Sequence, residues 1–286
     1  MLKVYLVQMD SAKGSKSENI ARAKSMILDA RPAEGSLILL PEMFATGYLP
    51  ASLAEAAEDF STSDAGETAR MLSEVATATN CTIMGAGITN AGNKFYNHVS
   101  IYESGNTQEV AGYNKMNLFF PEKESFKAGE KINLFNIGEK AGRFPIRSGM
   151  TNNAETIECT WQVASFICYD LRFPELFREA TKQGANLITV QAAWPAKRRA
   201  HWETLLKARA IENQVYIAAV NAVSTVPDQK APLAGTSLII TPNGDVIAGA
   251  SANEEAVLTA ELDLQAEMDL RKSFPVLEGM IRGCEV

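Results

Sequence analysis

Histidine is scarce in this sequence and cysteine is scattered. Two histidines (His98, His201) and four cysteines (Cys81, Cys159, Cys168, Cys284) with no CxxC pair supply neither clustered zinc ligands nor a disulfide framework. No apolar run approaches the ~18 residues needed to span a bilayer. The opening MLKVYLVQMD is too short in its hydrophobic stretch for a signal peptide and has no small-residue cleavage pattern. A cytoplasmic protein without a membrane partner is expected. Positive charge is also in deficit, with 27 Lys and Arg against 34 Asp and Glu and a net charge of −7. No long basic run compensates locally, so a phosphate backbone has little to gather on, and no nucleic-acid partner is expected. Gly/Ser linkers, low-complexity tracts and internal repeats are missing too. The 286 residues therefore read as a single domain, 1–286, long enough to bury a sizeable core.

Short apolar runs alternate with amphipathic segments in the first half. Leu2 to Met9 reads as a strand, Glu18 to Ala30 as a helix, and Ser36 to Leu40 as a strand stopped by Pro41. Leu72, Val75, Ala76 and Thr79 share one helical face, and Cys81 to Ile88 returns to strand character. His98 to Glu103 and Gln108 to Tyr113 then flank the turn Ser104-Gly105-Asn106, which adds an antiparallel part. Farther on come a strand at Gln162 to Ile167, a helix after Pro174, a strand at Leu187 to Ala192, a long helix around Trp202 and a strand at Val215 to Val220. A last hairpin turns at Pro242-Asn243-Gly244 between Ser237–Thr241 and Asp245–Ala248. Interspersed strands and helices of this kind predict α/β layers with mixed sheets. The least periodic stretch, RFPIRSGMTNNAE from Arg143 to Glu155, reads as an excursion and not as a domain boundary.

Several familiar motifs fail. Gly85-Ala86-Gly87 is followed by Gly92, which breaks GxGxxG spacing, and the segment leads toward a hairpin; close backbone packing explains these glycines better. There is no GxxxxGK[ST] loop, HExxH pair or GxSxG elbow. His201 falls in a helix beside Trp202, where packing accounts for it as well as chemistry does.

Three apolar strands nevertheless end abruptly in reactive side chains, at the carboxyl ends where open α/β sheets bind ligands. In LILLPE the carboxylate of Glu42 follows four apolar residues and a proline. In GYNKMNLF a single lysine, Lys115, lies among apolar and amide side chains. In VASFICYDLRFPE a strand delivers Cys168 into a turn. Taken singly, Glu42 could be a helix cap, Lys115 a surface residue and Cys168 a small buried hydrophobe. Together they form the carboxylate, cation and thiol needed for acyl transfer through a thioester.

LLPEMF (Leu39 to Phe44), YNKMNLF (Tyr113 to Phe119) and ICYDLRFPE (Ile167 to Glu175) resemble the three signatures of the nitrilase superfamily of carbon-nitrogen hydrolases, and the likeness runs from the first strand to Ser273-Phe274-Pro275. The resemblance implies a four-layer αββα sandwich that pairs into a homodimer or a higher homo-oligomer. It also implies Glu42 as general base, Lys115 as the cation facing the oxyanion and Cys168 as nucleophile. A further family glutamate stands seven residues before a glycine; Glu122 precedes Gly129 by that interval and is preferred to Glu124. Asn117 occupies a position where many relatives carry His, and altered supporting contacts without loss of activity are expected. A nearby ammonium should favour the Cys168 thiolate while Glu42 accepts its proton. Lys115 and the backbone N–H of Tyr169 would then meet the oxyanion. None of these steps needs a metal or an organic cofactor.

CYDLRFPELFR, the Trp194-Pro195 pair, AHWETLLKARAIENQVYIAAVN and RKSFPVL resemble the ω-amidase type, which hydrolyses the terminal amide of 2-oxo dicarboxylic acid monoamides. The expected partner is thus a small-molecule amide. An N-carbamoyl amine amidohydrolase, another small aliphatic amidase, a nitrilase proper and a catalytically silent interaction module are the alternatives, the last opposed by the intact reactive set. Lys197, Arg198 and Arg199 read more simply as a solvated helix start than as a carboxylate clamp, and Arg172 as the ion-pair partner of Glu175. Trp194, Phe119 and Tyr48 are candidates for the pocket wall.

Overall fold

The computed structural model describes residues 1–11, 14–62, 66–137, 144–145, 156–157, 160–225 and 231–279. β1 (Leu2–Gln8) leads into α1 (Lys16–Asp29), β2 (Leu37–Leu39), the short α2 (Leu53–Ala56), α3 (Glu67–Thr79), β3 (Thr82–Ala91), β4 (Lys94–Tyr102) and β5 (Ala111–Asn114). Next come β6 (Leu134–Ile137), the short β7 (Phe144–Pro145) and β8 (Thr156–Ile157), and then β9 (Trp161–Ile167), α4 (Pro174–Lys182) and β10 (Leu187–Ala192). α5 (Arg199–Asn213), β11 (Tyr216–Asn221), β12 (Leu238–Ile240), β13 (Val246–Gly249), β14 (Ala256–Leu262) and α6 (Leu264–Ser273) follow. Apart from β7, the stretch Arg143 to Glu155 lies outside the described residues.

Two six-stranded mixed sheets result, ordered β14-β1-β2-β3-β4-β5 and β13-β12-β11-β10-β9-β6. Each has a parallel trio, β1-β2-β3 in one and β9-β10-β11 in the other, flanked by antiparallel strands. The period of two along a strand decides which layer each side chain joins. Val4 and Leu6 of β1, Leu37 and Leu39 of β2, and Met84 and Ala86 of β3 point into the core between the sheets. There they meet Val163, Phe166, Ile188 and Val190 from the other sheet. Their neighbours Tyr5, Val7, Ile38 and Ile83 point outward, against Ile20, Ala23 and Ile27 of α1 and Leu72, Val75 and Ala76 of α3. Phe177 and Ala180 of α4 and Trp202, Leu206 and Ala210 of α5 cover the outer face of the second sheet. These are the α, β, β and α layers expected from the resemblance.

Gln8 fastens the two sheets together. Its side-chain oxygen accepts from the N–H and hydroxyl of Ser237, both at 2.9 Å, while its nitrogen donates to the carbonyls of Ser251 at 2.7 Å and Glu254 at 2.8 Å. Gly85 lies so close beneath α3 that a Cβ would stand 2.8 Å from Leu72 Cδ1, which agrees with the packing reading of that glycine pair. Other elements differ from the sequence reading. β4 begins at Lys94, earlier than His98, and therefore includes Asn97. β5 is confined to Ala111–Asn114, because Glu109 turns back to hydrogen-bond His98 Nε2 at 2.7 Å. β6, β14 and α6 are additional elements; charged residues interrupt the apolar ones of α6, whereas β14 keeps a strand alternation from Leu258 to Leu262. No helix among the described residues is long and apolar enough to cross a membrane.

Candidate active site

The first sheet contributes two carboxylates and an ammonium. Beyond β2 the chain passes through Leu40 and Pro41 and turns, with Met43 at φ +48°, so that Glu42 is driven inward and fully buried. Lys115 follows the last residue of β5 and is also buried. Its ammonium lies 2.9 Å from Glu42 Oε1 and 2.9 Å from both oxygens of Glu122. Glu122, on a short 3-10 turn (Phe120–Glu122), accepts the Phe119 N–H at 2.6 Å. Glu124, the other acid in that segment, is exposed.

Cys168 arrives from the second sheet. It follows the last residue of β9 and opens a 3-10 turn (Cys168–Arg172) with φ +45°. That left-handed conformation costs a non-glycine residue about 1–2 kcal/mol, so its neighbours must hold it. Asp170, fully buried, does so: it accepts the Ile167 N–H at 3.1 Å, the Tyr113 hydroxyl at 2.9 Å and the Asn117 N–H at 2.8 Å. Asn117 Nδ2 adds a fourth bond at 3.1 Å, so the amide at this position supports the turn directly. The Ala193 N–H beyond β10 donates to Glu42 Oε2 at 2.9 Å. Glu42, Lys115, Glu122 and Cys168, distant in sequence, are thus assembled where the carboxyl ends of β2, β5, β9 and β10 converge.

Electrostatics correct one expectation. Burial and the Glu42 charge push the Cys168 thiol well above its ordinary range, and Lys115 and the Ala193 N–H do not offset them. The resting sulfur therefore keeps its proton, contrary to the thiolate anticipated from the lysine alone. A protonated thiol needs a base at the moment of attack, and Glu42 is the carboxylate whose charge acts on it most strongly. Burial opposes the charge on Lys115, but the charges of Glu42 and Glu122 outweigh it and hold the ammonium well above the ordinary lysine range. Burial raises Glu122 above the usual carboxylate range; Lys115 opposes this and Glu42 adds to it.

The cleft above Cys168 holds about 470 Å³. Tyr48, Phe119 and Trp194 all line it, as does Tyr169. Burial and the charges of Glu42 and Glu122 keep the Tyr48 hydroxyl protonated far beyond the ordinary tyrosine range. Phe119 packs 5.3 Å from the Tyr169 ring, and the Trp194 indole donates to the Arg198 carbonyl at 2.8 Å.

Two readings of the basic residues need correction. Arg172 is not paired with Glu175, which is exposed. Instead its guanidinium stacks over Trp194 at 4.7 Å and Tyr169 at 5.8 Å, on the cleft wall. Among the described residues no carboxylate pairs with it, and His201 Nδ1 is 3.5 Å away. Burial, reinforced by Arg198, lowers its pKa. Lys197 and Arg198 also line the cleft, and only Arg199 belongs to the start of α5. Proline fixes the reason: Pro195 and the 3-10 turn (Ala196–Arg198) fold the segment back over the mouth before the helix begins. Sequence reading also passes over Asn97, whose Nδ2 donates to Glu42 Oε1 at 2.7 Å and to Glu122 Oε1 at 2.8 Å. The one signal for it in the sequence is an amide between the aromatic pair Phe95-Tyr96 and the His98-Val99 step of a strand.

Proteins of similar sequence and shape are known. The chain is 34% identical to a 2-oxoglutaramate amidase of Bacillus subtilis (strain 168), covering 96% of both chains. It is 31% identical to the omega-amidase NIT2 of Danio rerio, covering 96% of this chain and 92% of the other. Among solved structures, XC1258 of Xanthomonas campestris, a CN-hydrolase superfamily protein with an arsenic adduct in its active site, superposes with a TM-score of 0.79 at 26% identity, covering 99% of each chain. The carbon-nitrogen hydrolase family matches residues 3–272, and with the two sheets, their outer helices and nearly the whole sequence inside that match, the chain belongs to the carbon-nitrogen hydrolases, enzymes acting on the C–N bonds of amides.

Proposed function

We propose that this chain is an ω-amidase, hydrolysing the terminal carboxamide of a 2-oxo dicarboxylic acid monoamide such as 2-oxoglutaramate or 2-oxosuccinamate to the acid and ammonia. One observation carries the reading: Cys168, backed by buried Glu42, Lys115 and Glu122, shares its cleft with the Arg172 guanidinium, which has no carboxylate partner among the described residues, and with Lys197 and Arg198. The first group suits an amide carbon and the second a distal carboxylate, for which a planar guanidinium offers two parallel donors.

In this proposal Glu42 takes the Cys168 proton as the sulfur attacks the carbonyl carbon. Lys115 and the Tyr169 N–H stabilise the oxyanion, the N–H being one that lacks an acceptor within its own turn. The C–N bond breaks as Glu42 returns the proton to the leaving nitrogen, releasing ammonia and leaving a thioester. Water, deprotonated by Glu42, then attacks the thioester carbon; the proton returns to sulfur and the acid departs. Glu122 orients the substrate nitrogen and holds Lys115. Tyr48, Phe119 and Trp194 exclude water from the reacting atoms.

Ammonia release by the purified protein from 2-oxoglutaramate, succinamate, N-carbamoylputrescine and a simple nitrile tests the substrate. The dicarboxylate monoamides should be preferred in kcat/KM by about tenfold or more, a discrimination that one well-paired polar contact readily supplies. Preference for the carbamoyl compound or the nitrile contradicts the ω-amidase reading while leaving the thioester chemistry in place. A homodimer is part of the same proposal. Ile211 on α5 and Phe274 after α6 are exposed apolar side chains on neighbouring segments, and sedimentation should report twice the chain mass. The cytoplasmic location is likewise proposed, and fractionation of the producing cells reads it.

A further inference from the structure

Asn97 is fully buried on β4 and touches three of the four reactive residues' positions at once. Its carbonyl accepts the Lys115 N–H at 2.9 Å. Its side-chain nitrogen gives one hydrogen to Glu42 Oε1 at 2.7 Å and the other to Glu122 Oε1 at 2.8 Å. The amide orientation is fixed by this company, because the reverse would aim an oxygen at two carboxylates. Its Oδ1 is left buried with no hydrogen-bond partner. Native proteins rarely leave such an atom orphaned, so the pull on the nitrogen side outweighs the loss on the oxygen side.

We infer that Asn97 is a positioning residue: by donating to Glu42 and Glu122 together it holds them apart around Lys115 and keeps both charged, so that Glu42 is free to accept the Cys168 proton. Two carboxylates sharing one ammonium otherwise favour sharing a proton, which removes the base. Four charged or titratable groups face the pair or its ammonium from other elements: Lys115 after β5, Cys168 after β9, Tyr48 after β2, and Asp170, which acts on Lys115. Lys115 is the one cation among them, and neither Tyr48 nor Asp170 is in hydrogen-bond contact with the two glutamates. The Asn97 amide is therefore the only neutral side-chain donor bridging them among the described residues. The inference rests on the reading of Glu42 as base for Cys168.

Asn97→Leu keeps the volume and the backbone bond to Lys115 but removes both donors; Asn97→Ser keeps one donor. Each variant and the wild type would be followed across pH by iodoacetamide labelling of Cys168, read by mass spectrometry of its peptide, and by ammonia release. Loss of hydrogen bonds to an anion favours its protonated form. The acid limb of both profiles should therefore move to higher pH by about one unit in Asn97→Leu and less in Asn97→Ser. At neutral pH kcat should fall about tenfold or more with KM little changed, and raising the pH should recover part of it. A folded variant, checked by circular dichroism, whose acid limb coincides with that of the wild type would overturn the inference. Should Asn97→Leu fail to fold, Asn97→Ser carries the same comparison. If Cys168 of the wild type resists labelling at every pH while ammonia is still released, the base-and-nucleophile reading fails, and this inference with it.

Discussion

Cys168, Lys115 and Glu122 are each shifted away from their ordinary titration ranges, and the directions set the pH dependence. Cys168 and Lys115 are both pushed upward, so neither loses its proton in the neutral range, and activity should show no alkaline loss below about pH 9. Glu122 is also raised, by burial. As pH falls through its range Glu122 gains a proton and its hold on Lys115 weakens, so the acid limb of kcat/KM should lie above the ordinary value of about 4.3 for glutamate. A steady-state profile of ammonia release checks both limbs, and an acid limb below that value would contradict the account. Lys115→Met presses harder on the same cluster. It leaves two buried carboxylates without their ammonium, for which a loss of about 3–5 kcal/mol of stability is expected at neutral pH. The loss should shrink as pH is lowered and the carboxylates are neutralised by protons instead. Ammonia release should fall by about a hundredfold or more; urea unfolding and activity measured together separate the two effects.

The elements deliver these side chains by close approach as much as by strand order. Gly129 donates its N–H to the Lys115 carbonyl at 2.8 Å, and a Cβ there would sit 2.1 Å from the Asn114 carbonyl oxygen. Gly129→Ala must therefore push the end of β5 aside, carrying Lys115 with it, and should lower both the thermal midpoint and kcat. A variant with unchanged kcat would show that the lysine is held from elsewhere. This glycine also accounts for the legibility of the segment: the interval from Glu122 to Gly129 is fixed because one end must meet the ammonium and the other must clear β5. Strands ending in Glu42, Lys115 and Cys168 are legible for a similar reason, since an apolar run that stops at a reactive side chain sets that side chain at the carboxyl end of a strand. Asn97 is not legible, because its importance lies in two carboxylates contributed by other segments. Arg172 misleads because the following Glu175 offers a nearby charge in sequence, whereas Trp194 and Tyr169 offer flat surfaces only in space. α6 escapes the pattern because Asp269, Arg271 and Lys272 interrupt its apolar residues, whereas β14 alternates Leu258-Thr259-Ala260-Glu261-Leu262 and is legible as a strand that the reading passes over.

At the scale of the molecule, the site exists only because two sheets are held in register. Glu42, Lys115 and Glu122 belong to the first and Cys168 to the second, and one continuous core lies between them. We propose that the chain unfolds as a single domain, so intrinsic fluorescence and circular dichroism should follow one urea transition. Gln8, which joins Ser237 to the Ser251–Glu254 segment, is the position at which that coupling is most exposed to test. Gln8→Leu strands buried donors and acceptors on both sides and should cost about 2–5 kcal/mol in urea unfolding. The chemistry itself is tested most directly by Cys168→Ala. Removing one sulfur atom from a residue whose fold is held by Asp170 should leave the circular dichroism spectrum intact. Ammonia release from 2-oxoglutaramate should then fall to background, whereas a folded Cys168→Ala protein that still releases ammonia at the wild-type rate would contradict a thioester mechanism at this site.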